Sequence, residues 1–452
     1  MNYTLKEIAE ICGGILAEGS NGDRVFTAVD SDSRRISTSD TLFAALKGDH
    51  FDGHSFAPSL CREGGALIDD PKYSSPNSVL VPSVKKALYT LADHRRQREI
   101  SKLSVLAITG SVGKTTAKNM AALLMASHYS TYKSAGNRNS LTGLPMEVLN
   151  VPADCTHAVL EAGMSDPGEI AQISRLIKPS GAVITNVGHS HILAFGSREG
   201  ICREKLDILE GMAEKSITVP DGDLLVKYCK DMEGAVICSL SDKSREAYAD
   251  NIEQTENGMS FTACYGGRRT DISIPAFGIH NVMNGLLVFV ASVRMGVPED
   301  KAAQAFCSFV AEGNRQNIRV SKGITVIADC YNASPESMEA GLSVLGGMGG
   351  KKIAVLGDML ELGEHAEPLH RRVGESAARY ADLLICVGED AAYIADSAVK
   401  NGMKSESVYL FPSVDYEKAA QLLMSLVKTG DSVLFKASNR TNIRKILEIS
   451  AL

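Results

Sequence analysis

The chain has 452 residues, too many for one hydrophobic core, so roughly two to four domains are expected. Its 47 Lys and Arg against 54 Asp and Glu give a net charge of −7, which argues against a general nucleic-acid binder. The ten cysteines form no C-x-x-C pair and no apolar run reaches membrane-spanning length, so zinc, a disulfide framework and membrane insertion are not expected, and the cytoplasm is the expected compartment.

The opening "MNYTLKEIAEICGG" predicts a helix with Thr4 and Glu7 as a capping box and Gly13 at its end, not a signal peptide. Residues 1–84 then show short apolar runs broken by turn signals and predict a small α+β domain. "VKKALYTLADHRRQREI" reads as a charged helical connector. In residues 85–313, "LSVLAIT", "THAVLEAG" and "GAVITNVG" alternate with helical stretches, the rhythm of a parallel sheet covered by helices. Cys238 to Thr270 is polar and weakly patterned, and predicts no defined element. The rhythm restarts in residues 314–452 with "ITVIAD", "KKIAVLGD", "DLLICVGED" and "DSVLFKAS", predicting a Rossmann-like α/β domain. The expected class is α/β in three domains.

Ligands of an open parallel sheet gather beyond the carboxyl ends of its strands. After "LSVLA" comes "ITGSVGKTT", shorter than the usual G-x-x-x-x-G-K-[ST] because Ile108 stands where the first Gly belongs. The physics survives the shortening. The glycines allow backbone N–H groups to converge on an anion, and the next helix points its N-terminus at the same place. Lys114 would neutralise terminal phosphates and the Thr115 hydroxyl would reach Mg²⁺. Glu161 ends the next apolar run, and Asn186 and His191 follow the one after, so three strand ends can converge on a metal-phosphate site. Glu161 offers the hard oxygen Mg²⁺ prefers; His191 is an unusual ligand for it.

"SAGNRNSLTGLP" (134–145) places Asn137 and Asn139 in a Gly- and Asn-rich turn, and by itself reads as no more than a turn. "FGIHNVMNG" puts His280, Asn281 and Asn284 near a helix start, where capping and ligand contact are both open. Asp329 ends a strand before the loop Tyr331–Pro335, and Asp358 follows Gly357 in the same manner.

The motifs "TGSVGKTT", "GNRNSLTGLP", "EAGMSDPGEI", "HILAFGSREGICREK" and "GIHNVMN" occur in that order. "DSRRISTSDTLFAALKGDHFDGHSF" precedes them, and "DCYNASPESMEA" and "VLGDMLELGEH" follow. Over nearly its whole length the chain therefore resembles the Mur ligases, ATP-dependent enzymes that assemble the peptide of the cell-wall precursor, and within them the dipeptide-adding branch. The resemblance implies that D-alanyl-D-alanine is joined to UDP-N-acetylmuramoyl-tripeptide through an acyl phosphate. It implies that Gly110, Ser111, Gly113, Lys114, Thr115 and Thr116 hold the ATP phosphates. Thr115, Glu161, His191 and a carbamylated Lys205 would hold Mg²⁺. Asn281 and Asn284 match the adenine region, and Arg315, Asp329 and Asn332 match residues of the closing domain that meet the nucleotide. Ser33, Arg34, Lys47 and Gly48 match the grip on uridine diphosphate, with Asn137 and Asn139 on the substrate side. Lys114, Glu161, His191 and Lys205 are the expected catalytic group. "GNRQ" (313–316) and "KASN" (436–439) depart from the family pattern. A monomer is expected, without a sequence feature that fixes the oligomeric state. The alternatives are a folylpolyglutamate-synthetase-like ligase, against which the N-terminal block argues, and a P-loop ATPase or switch.

Overall fold

The computed structural model describes residues 1–48, 51–312, 316–412 and 415–452. The chain opens with β1 (Tyr3–Thr4), which pairs with β3 (Val25–Phe26), and helix α1 (Leu5–Cys12). The helix begins as its sequence dictates. The Thr4 N–H donates to Glu7 Oε2 at 2.7 Å, the Glu7 N–H donates to Thr4 Oγ1 at 3.2 Å, and Gly13 closes the other end at φ 63°.

The first sheet holds β2 (Ile15–Leu16), β4 (Ala28–Asp30), β5 (Thr41–Ala44), β6 (Gly65–Ile68) and β7 (Ser78–Leu80) in the order β2-β7-β6-β5-β4. Strands β4 to β7 run parallel, with only β2 antiparallel and the short helix α2 (Ala57–Leu60) before β6. The expectation of an α+β domain is thus corrected to a largely parallel sheet. Strands of two to four residues are too short for periodicity to reveal their direction.

Helix α3 (Val84–Arg98) is more than a charged connector. Arg95 and Arg96 are almost fully buried. Arg95 donates to the carbonyls of Val148, Leu149 and Val151 at 2.6–2.8 Å, around the end of α5 (Gly143–Asn150). Arg96 donates to Ile177 and Lys178 at 3.0 and 3.3 Å, at the end of α6 (Glu169–Ile177), and to Ile100 and Leu103. Two cations thus satisfy the carbonyls that two helices leave open at their C-termini. Sequence shows the charges but not which of them turn inward.

The central sheet contains β8 (Ser104–Thr109), β9 (Thr131–Lys133), β10 (His157–Glu161), β11 (Gly181–Ile184), β12 (Ile217–Pro220), β13 (Ala235–Ser239), β14 (Ala247–Thr255), β15 (Gly258–Tyr265) and β16 (Arg268–Ile274). Its order is β16-β15-β14-β13-β12-β11-β8-β10-β9. Strands β8 to β14 are parallel, but β14, β15 and β16 form an antiparallel meander, so the expected parallel sheet is corrected to a mixed one. The meander is the stretch that sequence left undefined. Its outer strands are half exposed and carry a polar face, which masks the alternation. The covering helices are α4 (Lys114–Ala126), α5, α6, α7 (Ile192–Phe195), α8 (Arg198–Leu206), α9 (Asp223–Cys229), α10 (Ile279–Arg294) and α11 (Glu299–Phe306).

The third sheet has β17 (Asn317–Ser321), β18 (Ile324–Asp329), β19 (Lys352–Gly357), β20 (Leu383–Val387), β21 (Val408–Phe411) and β22 (Ser432–Lys436), ordered β17-β18-β22-β19-β20-β21. All are parallel except the edge strand β17. This order differs from the 3-2-1-4-5-6 of dinucleotide-binding sheets, so the Rossmann-like expectation is corrected to an α/β domain with its own strand order. Helices α12 (Pro335–Gly346), α13 (Ala366–Tyr380), α14 (Ala391–Lys400), α15 (Tyr416–Leu426) and α16 (Arg444–Ser450) cover it. Among the described residues, no helix is long and apolar enough to cross a membrane.

Replacing Arg95 with Ala removes several charge-assisted hydrogen bonds from a dry interface and should cost about 3 kcal/mol. The expected outcome is a clearly lower urea midpoint for Arg95→Ala, while Arg98→Ala, on the exposed side of the same helix, stays within about 0.5 kcal/mol of the parent. Equal midpoints for the two variants would refute the docking role.

Candidate active site

Strand β8 ends in Thr109 and the chain turns through Gly110 at φ 149° and Gly113 at φ 82° into α4. A Cβ at Gly110 would lie 1.9 Å from Thr185 Oγ1, so only glycine fits there. The back of the loop is tied to the end of β11. Ser111 N–H donates to the Asn186 carbonyl at 3.1 Å, and Val112 N–H to Asn186 Oδ1 at 3.0 Å. Asn186 Nδ2 and Thr185 Oγ1 both donate to the Val112 carbonyl, at 2.9 and 2.5 Å. Thr185 and Asn186 therefore hold the loop's shape, a role for which sequence offered only their place at a strand end. Lys114 folds back over the loop, its Nζ donating to the carbonyls of Gly110 at 2.8 Å and Ser111 at 3.3 Å.

Glu161 is the last residue of β10 and lies in register with Ile108 on β8. The residue is 2 % exposed. Oε2 accepts from Thr115 Oγ1 at 2.8 Å and Oε1 accepts from Asn139 Nδ2 at 2.8 Å. The Lys118 ammonium stands 3.6 Å from Oε2 and donates to the Gly136 carbonyl at 2.9 Å. Asn139, which by itself reads as part of a turn, is thus a direct partner of the carboxylate. Lys118 was not anticipated; its signal is the i,i+4 spacing from Lys114 on one helix face. A hydroxyl beside a buried carboxylate is a hard-oxygen pair suited to Mg²⁺. No cluster of three His, Cys, Asp or Glu side chains is arranged to hold a metal among the described residues.

A cavity of about 310 Å³ opens above these groups, between the second and third sheets, and is lined by Ser111, Gly113, Lys114, Thr116, Asn137, Asn139 and Glu161 from the central side. His191 reaches the same cavity from a left-handed backbone (φ 64°), its Nδ1 3.2 Å from Glu361 of the third domain. Burial, with the Lys114 charge next, lowers the imidazole's pKa. Lys205 stands apart from the lining residues. It is 1 % exposed, its Nζ 3.6 Å from the sulfur of Met164, and Met164 itself lines the cavity. Burial first, and Lys114 second, push this lysine's pKa well below its ordinary value of 10.5.

The third domain supplies the opposite wall. Asp329 Oδ2 accepts from the buried Lys436 Nζ at 2.6 Å, its neighbour in the β18–β22 register, and Oδ1 accepts from Gln316 N–H at 3.3 Å. Asn281 Nδ2 donates to Gln316 Oε1 and to the Phe277 carbonyl, both at 2.8 Å, while Gly278 occupies the N-cap of α10, so neither Asn281 nor Asn284 caps that helix. Asn284 lies against Gly113, and His280, pushed down to about 4 by burial, sits beside Gln316. Asn332 also lines the cavity. Arg315 lies outside the described residues. Asp358 serves the fold: its carboxylate accepts from the Ala391 N–H that opens α14.

A second chamber of about 410 Å³ adjoins the first, sharing Gly113, His280 and Asn284 and adding the apolar Val187, Leu224, Leu225 and Met283. In the first domain, Ser33 and Arg34 form a turn after β4, and Lys47 and Gly48 follow β5, so all four stand at one edge of that sheet. Arg34 is occupied by Asp32, from Nε at 2.9 Å and Nη2 at 2.9 Å.

Comparison with known proteins identifies the family of the chain that carries these residues. Residues 108–292 match the Mur ligase middle domain and residues 314–439 the Mur ligase glutamate ligase domain. The UDP-N-acetylmuramoyl-tripeptide–D-alanyl-D-alanine ligase of Bacillus subtilis (strain 168) is 35% identical over 98% of this chain and 97% of its own. The crystal structure of MurF from Acinetobacter baumannii superposes with a TM-score of 0.89 at 27% identity, covering 100% of this chain and 99% of that one. The MurF ligase of Thermotoga maritima, solved in complex with ADP, gives 0.81 at 28% identity over 94% and 96%. With both domains in order and the likeness running end to end, this chain belongs to the Mur ligases, ATP-dependent enzymes that form amide bonds in peptidoglycan precursor synthesis.

Proposed function

We propose that this chain joins D-alanyl-D-alanine to UDP-N-acetylmuramoyl-tripeptide in the cytoplasm, working as three domains divided near residues 84 and 313. The observation that carries the reading is the cavity in which the Gly110–Thr116 loop, the Thr115–Glu161 pair and the third domain's Asp329–Asn332 segment face one another. A relative of that activity matches along the full chain, and a related structure was solved with ADP.

A free carboxylate cannot acylate an amine at neutral pH, because its leaving group is too poor. Phosphoryl transfer from ATP converts the tripeptide's carboxylate to an acyl phosphate, and attack by the dipeptide's amine then expels inorganic phosphate and leaves the amide. The first turn of α4 presents its positive end to the phosphates, and Lys114 exchanges its loop carbonyls for the γ-phosphate. Asn281 and Asn284 hold the base, with the apolar chamber beside Asn284 to receive it. Ser33, Arg34, Lys47 and Gly48 grip the uridine diphosphate. Thr115 and Glu161 would hold Mg²⁺, which when bound neutralises charge on the transferring group. The third domain meets the β11 exit loop at His189–Glu336 (2.5 Å) and His191–Glu361 (3.2 Å), the contacts through which closure of that domain would shield the acyl phosphate from water. Lys205 is buried and its ammonium form is disfavoured, which favours the neutral amine a lysine needs to add CO₂; as a carbamate it would be an anionic oxygen donor.

Phosphate release should require ATP, the UDP-linked tripeptide and the dipeptide together; vigorous release from ATP alone would favour a simple ATPase. Lys114→Ala should lower kcat by at least 100- to 1000-fold, about 3–4 kcal/mol, with the circular dichroism spectrum unchanged. Parental rates in that variant would remove the loop from the mechanism. Lys205→Ala should lose most activity and regain part of it with a small added carboxylic acid, whereas Lys205→Arg should not recover, because a guanidinium cannot be neutralised there. Full activity in Lys205→Ala would exclude the carbamate.

A further inference from the structure

Arg138 lies in the Asn137–Asn139 turn, but its side chain is not among the groups lining the cavity. It is 16 % exposed and runs the other way, to the first domain, where its Nη2 donates to Asp30 Oδ2 at 2.5 Å. Its Nη1 lies 3.5 Å from Glu147 Oε1, a buried atom with no hydrogen-bond partner among the described residues. Two carboxylates around one guanidinium leave no excess positive charge to receive an anionic ligand, so Arg138 is not built as a phosphate receptor.

What it does join is specific. Asp30 closes β4, and its Oδ1 accepts from the Asp32 N–H at 2.9 Å. Asp32 in turn holds the backbone and side chain of Arg34. On the other side of Arg138, Asn139 donates to Glu161 and its carbonyl accepts from Gly163 N–H at 2.7 Å. The turn packs closely against the start of α5, where a Cβ on Gly143 would lie 2.8 Å from the Arg138 backbone. Nearby, Asn150 of α5 exchanges two hydrogen bonds with Val29 of β4, at 2.9 and 2.8 Å, so the two domains are docked at this point. One guanidinium therefore bridges the turn that precedes Arg34 and the turn that orients Glu161.

We propose that Arg138 is a positioning residue that keeps the Asp30–Arg34 segment in register with the Glu161 carboxylate, so that a substrate held at its uridine diphosphate end presents its far carboxylate to the phosphoryl donor. The inference rests on the reading that this segment grips the UDP end. A long substrate bound at both ends converts a small shift between domains into a misplaced reacting atom, and such shifts are costly in rate.

The test compares the parent with Arg138→Leu, Asp30→Asn and the double variant, by steady-state kinetics and by calorimetry with UDP alone. UDP occupies only the first-domain end, so its affinity reports on the grip and not on the register. Arg138→Leu and Asp30→Asn should each lower kcat/KM for the UDP-linked tripeptide at least tenfold, with UDP affinity and the KM for the dipeptide within twofold of the parent. The double variant should be no worse than Arg138→Leu, because both changes break one link. Should Arg138→Leu fail to fold, Arg138→Lys, which keeps the charge but not the guanidinium geometry, takes its place with the same pattern expected in weaker form. Unchanged kcat/KM, an equal loss of UDP affinity, or additive effects in the double variant would overturn the proposal. A parent protein that turns over none of the substrates overturns the functional reading and the inference with it, whereas an active parent with unaffected variants overturns the inference alone.

Discussion

The Glu161 carboxylate is the point on which the rest of the site depends. It is buried at the end of a central strand, and in that position an anion needs several partners. Three side chains from two segments supply them: Thr115 from the first turn of α4, Lys118 one turn further along the same helix, and Asn139 from the 134–142 turn. Each partner fixes the backbone that carries it. The carboxylate thereby orients the first turns of α4 and the turn that reaches the first domain.

The neighbouring strand performs the complementary task. Thr185 and Asn186, at the end of β11, hold the Ser111–Val112 backbone through four hydrogen bonds, while the residues just beyond them pair with the third domain through His189 and His191. A loop fixed on both flanks requires little reorganisation when charge develops above it, which is where electrostatic catalysis gains most. The third domain's own polar groups are arranged in the same manner. Lys436 and Asp329 are cross-strand neighbours, and their pairing makes the buried Lys436 ammonium tolerable at the cavity wall.

The docking of the domains uses ordinary residues in extraordinary places. Arg95 and Arg96, adjacent on one helix, satisfy the carbonyl ends of two others. Their neighbour Arg98 is exposed. Nothing in the run "HRRQR" distinguishes inward from outward arginines. The helical phase does so only once the packing partners are in place.

Local chemistry determined much of this protein. The Thr4–Glu7 cap and the order strand, glycine loop, helix around Lys114 both follow from contacts between residues near in sequence, and were legible there. So was the placing of Lys114, Thr115 and Glu161 at strand ends of one sheet. The motifs also identified the family, because they occur in the family's order over nearly the whole chain. The tertiary structure decided what depends on distant partners. It turned the weakly patterned 238–270 stretch into an antiparallel edge, because strands with one wet face hide their alternation. It put Asn139 on Glu161, Arg138 on Asp30 and Lys205 behind Met164. A side chain's partner across tens or hundreds of residues is chosen by packing, and no spacing rule carries that information.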